Sequence, residues 1–246
     1  RSEIDEVVGD LISFYEARGI RLLILSEYGI SPVSNVIYPN RIFRSEGWLS
    51  LKDELGLEYL DCGGSRAFAI TDHQVAHIYL NDQSDSFRNK LRSRLENIEG
   101  IEKVLDNEGK KEVGLNHSRA GDFVLFSKEH SWFAYYHWED DQLAPDFARC
   151  VDVHRKYGYD PTELFVDPSL SFPVLKIARK LIGKKMGFRT SMDLIPLDAN
   201  LVKGSHGLRP QDHQDWPVII GHGIQSTGST LDPTEVMDCI LNLFED

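Results

Sequence analysis

The spacing of apolar residues changes several times along the chain, and each change predicts an element. Ile4, Val7, Val8, Leu11, Ile12 and Tyr15 recur at helical spacing behind Ser2-Glu3-Ile4-Asp5, which has the form of a capping box; Gly19 closes the helix predicted over 3–18. Residues 21–26 then run apolar without alternation, as a strand covered on both faces by helices would. Residues 40–55 read as a second helix. Two strand-like runs, Ala67–Thr71 and Val75–Leu80, flank Asp72-His73-Gln74.

Residues 84–112 are charged and helical, without sharp hydrophobic periodicity. Asp122–Ser127 and Trp132–Trp138 read as two strands around a Lys128-Glu129-His130 turn, and 139–172 as an ordered loop rich in Asp, Pro and aromatics. An amphipathic helix is predicted over 173–183 through Val174, Leu175, Ile177, Ala178 and Leu181. A strand at 217–221 and a helix at 233–244, capped by Asp232 with Pro233 at its first position, end the chain. The alternation implies an α/β fold with a mainly parallel sheet and helices on both faces. Residues 1–82 form one α/β stretch, 83–120 a charged helical excursion or cap, and 121–246 a return to the core.

Composition narrows the function more than the fold. The 246 residues are 41% hydrophobic and 27% charged, an ordinary globular balance. A net charge of −12 argues against a nucleic-acid partner, which would need a clustered basic face. The basic clusters Arg88–Arg94 and Lys176–Lys185 read as solvated helix faces. Cys62, Cys150 and Cys239 are odd in number and widely spaced, which suits reduced thiols in a cytoplasmic protein. No apolar run reaches the roughly 20 residues of a membrane helix, so no membrane partner is expected.

Two polar-glycine turns carry the strongest candidate chemistry. Ser26-Glu27-Tyr28-Gly29 closes the strand at 21–26, and Gly204-Ser-His206-Gly207 precedes the strand at 217–221. Open α/β sheets place ligands at such strand ends. Glu27 and His206 are metal-ligand types, with Gly29 and Gly207 letting the backbone bend behind each. A helix cap and an ordinary turn histidine are the alternative reading.

Asp72, His73 and His77 form a second cluster, read either as a structural histidine beside a turn or as Asp72 or His73 reaching a cleft. His154, Arg155, Lys156 and Asp160 suit a phosphate or carboxylate, or are plain turn makers. Trp132, Tyr135, Tyr136 and Trp138 could stack on a base or fill a core. His222 could line a cleft or a surface loop.

Together the two turns resemble the paired metal-binding motifs of the alkaline phosphatase superfamily, in its type I phosphodiesterase/nucleotide pyrophosphatase branch. There they read Ser-Asp-His-Gly and Gly-Thr-His-Gly. The stretches 67–79, 144–149 and 154–161 are similar to uncharacterised bacterial members, and the resemblance runs over essentially the whole chain, as the C-terminal half of such a catalytic domain.

It implies part of a three-layer sandwich and a hydrolase of phosphodiester, pyrophosphate or phosphonate bonds. It also implies divalent metal, zinc or else manganese or magnesium, with Glu27 and His206 as ligands close together on one sheet edge. Tyr28, Asp72, His73, His154 and Arg155 would bind a small phosphate or phosphonate ester. The family's Thr or Ser nucleophile has no counterpart in the matched residues, so the chain alone is expected to be inactive, and uncovered strand edges to favour self-association. Tyr28 stands where the family has a histidine, which leaves open a non-catalytic binding or scaffolding relative.

Overall fold

A computed structural model describes residues 2–221 and 230–244. In chain order these form α1 (Ser2–Glu16), β1 (Leu23–Leu25), β2 (Ser31–Pro32), β3 (Asn35–Ile37), α2 (Pro39–Ser45), β4 (Ser50–Glu54), β5 (Leu57–Asp61), β6 (Ala67–Asp72) and β7 (Val75–Leu80). There follow α3 (Asp85–Glu96), β8 (Ile101–Leu105), α4 (Asn107–Glu112), β9 (Phe123–Ser127), β10 (Ser131–Phe133), α5 (Pro173–Lys185), β11 (Gly204–Ser205), β12 (Ile219–Gly221) and α6 (Val236–Leu241). His222 lies outside the described residues.

The chain divides into two units, residues 1–29 with 211–246, and residues 30–210. In the smaller unit β1 pairs with β12 antiparallel, Leu23 opposite Gly221 and Leu25 opposite Ile219. This ladder is extended by Ser26 N–H donating to the Val218 carbonyl and Val218 N–H to Ser26 Oγ. The turn before α6 carries the full capping box, Asp232 accepting from Thr234 N–H and Glu235 accepting from Asp232 N–H.

The larger unit is built on the antiparallel sheet β6-β7-β9-β8. Its core joins Phe43 and Trp48 to Phe87, Leu91 and Leu95, one apolar side chain per turn of α3, over Ile78 and Leu125. Asn40, fully buried at the start of α2, completes the edge of β6. Its amide donates to the carbonyls of Ala69 and Tyr135 and accepts from Ala69 N–H. A second cluster gathers Trp132, Tyr135, Tyr136 and Trp138 with Phe147, Ala148 and Leu197.

Four sequence expectations need correction. The sheet is not mainly parallel with helices on both faces: among the described strands only β3 and β10 pair in parallel. The β4–β5 and β6–β7 pairs turn through two residues each, a connection that only antiparallel strands can make. Residues 40–55 are not one helix, since α2 stops at Ser45, Gly47 takes φ +70°, and β4 follows. Residues 84–112 include β8, an edge strand of the main sheet, and α3 is part of the core. The strand at 21–26 is half exposed, because its described partner is one short strand and not a covered sheet.

Candidate functional site

Three segments of the larger unit converge on His73. The first is the β6–β7 hairpin, in which His73 and Gln74 form the two-residue turn and His73 takes φ +55°. A non-glycine residue reaches this region only when surrounding contacts hold it. Here Phe133 N–H donates to the His73 carbonyl at 2.7 Å, and the Gln74 amide donates to the carbonyls of Glu129 and Ser131.

The second segment is Gly204–Gly207. β11 pairs with β2, and Gln74 N–H donates to the His206 carbonyl at 3.0 Å, tying this turn to the hairpin. Gly207 needs its freedom: φ is +116°, and a Cβ there would lie 3.3 Å from Val75 Cγ2. The third segment is Tyr157-Gly158-Tyr159. Thr71 N–H donates to the Tyr157 carbonyl and Tyr159 N–H to the Thr71 carbonyl. Gly158 (φ +122°) lies so close that a Cβ would meet Thr71 O at 1.8 Å.

The result is a stack of rings. His73 and His206 have centroids 3.8 Å apart at 35°, and Tyr159 stacks on His73 at 5.0 Å. His73 Nδ1 lies 3.3 Å from Ser205 Oγ. Burial, reinforced by the adjacent His206 and opposed by Asp72, pulls the His73 imidazolium down to a pKa of about 4. His73 is therefore neutral near pH 7, the form that offers a lone pair to a metal or a proton.

The other sequence candidates separate from this centre. His77 is half-buried on β7, its Nδ1 accepting from Gly121 N–H, and burial lowers its pKa. Asp72 is exposed beside His73. His154 is exposed, and Arg155 is held by Asp146 at 2.6 Å, with Asp152 at 3.9 Å. Lys156 is internal, salt-bridged to Asp160 at 2.9 Å and Glu163 at 2.7 Å. The tryptophans and tyrosines of 132–138 are all buried, so they are core and not a stacking surface.

Glu27 and Tyr28 are exposed in the smaller unit, just past β1. Gly29 beside them approaches the chain so closely that a Cβ would fall 1.5 Å from Asp215 O. Residues the sequence reading missed are Tyr159 and Ser205. Tyr159 had a usable signal, the Gly158 beside it in a loop already singled out for its chemistry.

Two open clefts of the larger unit, about 640 and 660 Å³, are lined by other residues, among them Tyr38, Arg41, Asp141 and Asp198 in the first. As a metal cradle the imidazole pair fits in part. Neutral imidazole is the right donor, but catalytic zinc takes three protein ligands. Among the described residues no three His, Cys, Asp or Glu converge.

Comparison with known proteins now decides the family. The family described as type I phosphodiesterase / nucleotide pyrophosphatase matches residues 2–160. The chain belongs to that family. The matched span holds Glu27, Tyr28, Asp72, His73, His154 and Arg155, whereas His206 lies beyond it.

Among solved structures, phosphonoacetate hydrolase from Sinorhizobium meliloti 1021 in complex with phosphonoformate is 22% identical, with a TM-score of 0.36, over 53% of this chain and 32% of that one. Murine ectonucleotide pyrophosphatase / phosphodiesterase 5 is 16% identical, with a TM-score of 0.37, over 56% of this chain and 34% of that one. The chain thus matches about a third of the length of each. No curated protein matches it significantly.

Proposed function

We propose that the chain is part of a metal-dependent hydrolase of small phosphate or phosphonate esters, working within an alkaline-phosphatase-like three-layer sandwich in the full-length protein. Family membership supplies the reaction class. The observation that carries the reading is the His73–His206 pair, with His73 held neutral where three segments converge. In this reading His206 ligates one divalent ion, zinc or else manganese or magnesium, and Glu27 a second. Bound metal would polarise the phosphoryl group.

The chain's own residues then position the substrate. Tyr28 would donate a hydrogen bond to a phosphoryl oxygen, His73 would stand beside His206 as a further neutral donor, and Asp72 beside it would orient the ester. His154 and Arg155 are proposed as a further contact, which requires Arg155 to leave Asp146.

Two ligands fall short of a closed catalytic site, so turnover by this chain alone is proposed to be low. Tyr28 in the place of a family histidine supports a second reading, a relative that binds phosphate esters without hydrolysing them.

The test is hydrolysis of a chromogenic phosphodiester and a phosphonate ester by this chain and by the full-length protein, with zinc, manganese or magnesium. Metal-stimulated turnover by the full-length protein is expected, reduced by roughly a hundredfold or more in His206→Ala, the scale of a lost catalytic group. Undiminished turnover in His206→Ala sinks the assignment. Absence of bound metal in the full-length protein favours the binding relative.

A further inference from the structure

α5 is mounted the wrong way round for a core helix. At 100° per residue Lys176, Lys180 and Gly183 share one face, and this polar face meets the protein. Lys176 Nζ donates to the Asp193 carbonyl at 2.6 Å and pairs with its carboxylate at 3.2 Å. Lys180 pairs with the same carboxylate and donates to the Ser191 carbonyl. A Cβ on Gly183 would lie 3.2 Å from Thr190 Cγ2.

The opposite face carries Val174, Leu175, Leu181, Ile182 and Met186, each between 52% and 77% exposed. Phe172 and Phe188, 74% and 64% exposed, stand at its two ends. No residue of α5 is buried. The basic cluster at 176–185 is therefore not a solvated face over a buried apolar one.

Charge identifies what this face suits. From 173 to 191 there is no Asp or Glu, in a chain whose net charge is −12. Lys176 and Lys180 are neutralised by Asp193. Arg179 and Lys184 border the apolar arc and Lys185 stands within it. These three, with Arg189 just beyond, make no ion pair among the described residues. A second copy seated on this face by two-fold symmetry would set like charges against each other.

An anionic lipid surface satisfies both features at once. Its headgroups take the cations, and the acyl boundary takes the apolar side chains of a helix lying in the interface plane. At 13 residues α5 is too short to cross a bilayer, and no helix among the described residues is long and apolar enough to do so.

We propose that the outward face of α5, with Phe172 and Phe188, docks this protein on an anionic membrane surface. Flotation of the full-length protein with phosphatidylcholine vesicles, with and without phosphatidylglycerol, tests it. Binding is expected only with phosphatidylglycerol, weakening as salt rises.

A Lys184→Glu/Lys185→Glu variant should bind at least roughly tenfold more weakly, since each basic residue near an anionic surface is worth about fivefold. Leu181→Asp/Ile182→Asp should not bind. Both pairs are exposed, so circular dichroism should stay unchanged. Any of three results overturns the proposal: no binding to phosphatidylglycerol vesicles, equal binding to phosphatidylcholine alone, or undiminished binding by a folded variant. Sedimentation showing a dimer that Leu181→Asp dissolves would assign the face to a second copy and overturn it equally.

Discussion

The two polar-glycine turns look alike in sequence and are built differently. Ser26–Gly29 leaves a three-residue strand paired with one other, and its Glu27 and Tyr28 side chains are exposed. Gly204–Gly207 is bonded to the β6–β7 hairpin, which β9 and the Tyr157–Tyr159 segment brace in turn. One turn therefore holds its histidine against a second, neutral imidazole, while the other presents its carboxylate on a lightly supported ladder. Catalytic groups need rotamers fixed by surrounding packing, and the second turn has that support.

The sharpest way to break the contrast is to loosen the braced side. Lys156 has no exposed side-chain surface and neutralises both Asp160 and Glu163 in the loop that delivers Tyr159. Lys156→Met leaves two buried carboxylates without a cation and should cost about 3–5 kcal/mol in urea unfolding. A loss below about 1 kcal/mol would mean that water reaches the pair.

Glycine replacements compare the turns directly. Gly158→Ala puts a Cβ against the Thr71 carbonyl at left-handed φ, in the braced sheet, and should cost about 3 kcal/mol. Gly29→Ala meets the Asp215 carbonyl at least as closely. Gly29 and Asp215 are half-buried, but the strand before the turn pairs with one short strand and can shift, so about 1 kcal/mol is expected. Equal losses would show that the first turn is braced as firmly as the second.

A further contrast is a matter of pH. His73 has a pKa of about 4 in the fold against 6.5 unfolded. The unfolded chain therefore binds the extra proton first, and stability present above about pH 6.5 is lost as pH falls toward 4. His137, buried with its Nε2 donating to the Glu58 carbonyl and also near 4, acts in the same direction. His73→Asn, which tolerates positive φ and does not titrate, should unfold less steeply with acid over this window. An unchanged acid limb would mean that His73 is hydrated in the fold.

Much of this was legible beforehand. The helix behind Ser2, the strands around Asp72–Gln74, the 173–183 helix and the Asp232 cap follow from local period and capping chemistry, and all are present. The aromatic stretch at 132–138 was half-legible: β10 ends at Phe133, yet the rings beyond it are buried because Phe147, Ala148 and Leu197 from distant segments pack on them. Residues 84–112 misled because α3 shows only one large apolar side chain per turn in a charged background, and three such residues, Phe87, Leu91 and Leu95, are enough to seat it.

The sequence by itself determined which residue types could do chemistry and where the backbone must turn. Histidine, carboxylate and glycine signal those roles locally, through donor chemistry and allowed φ. Only the tertiary structure decided that His73 stacks on His206 from 133 positions away, that Lys156 is internal while Arg155 is not, and that α5 turns its apolar side outward. Each depends on which surfaces meet across long loops, and burial, which sets both pKa and exposure, is a property of those meetings and not of any segment alone.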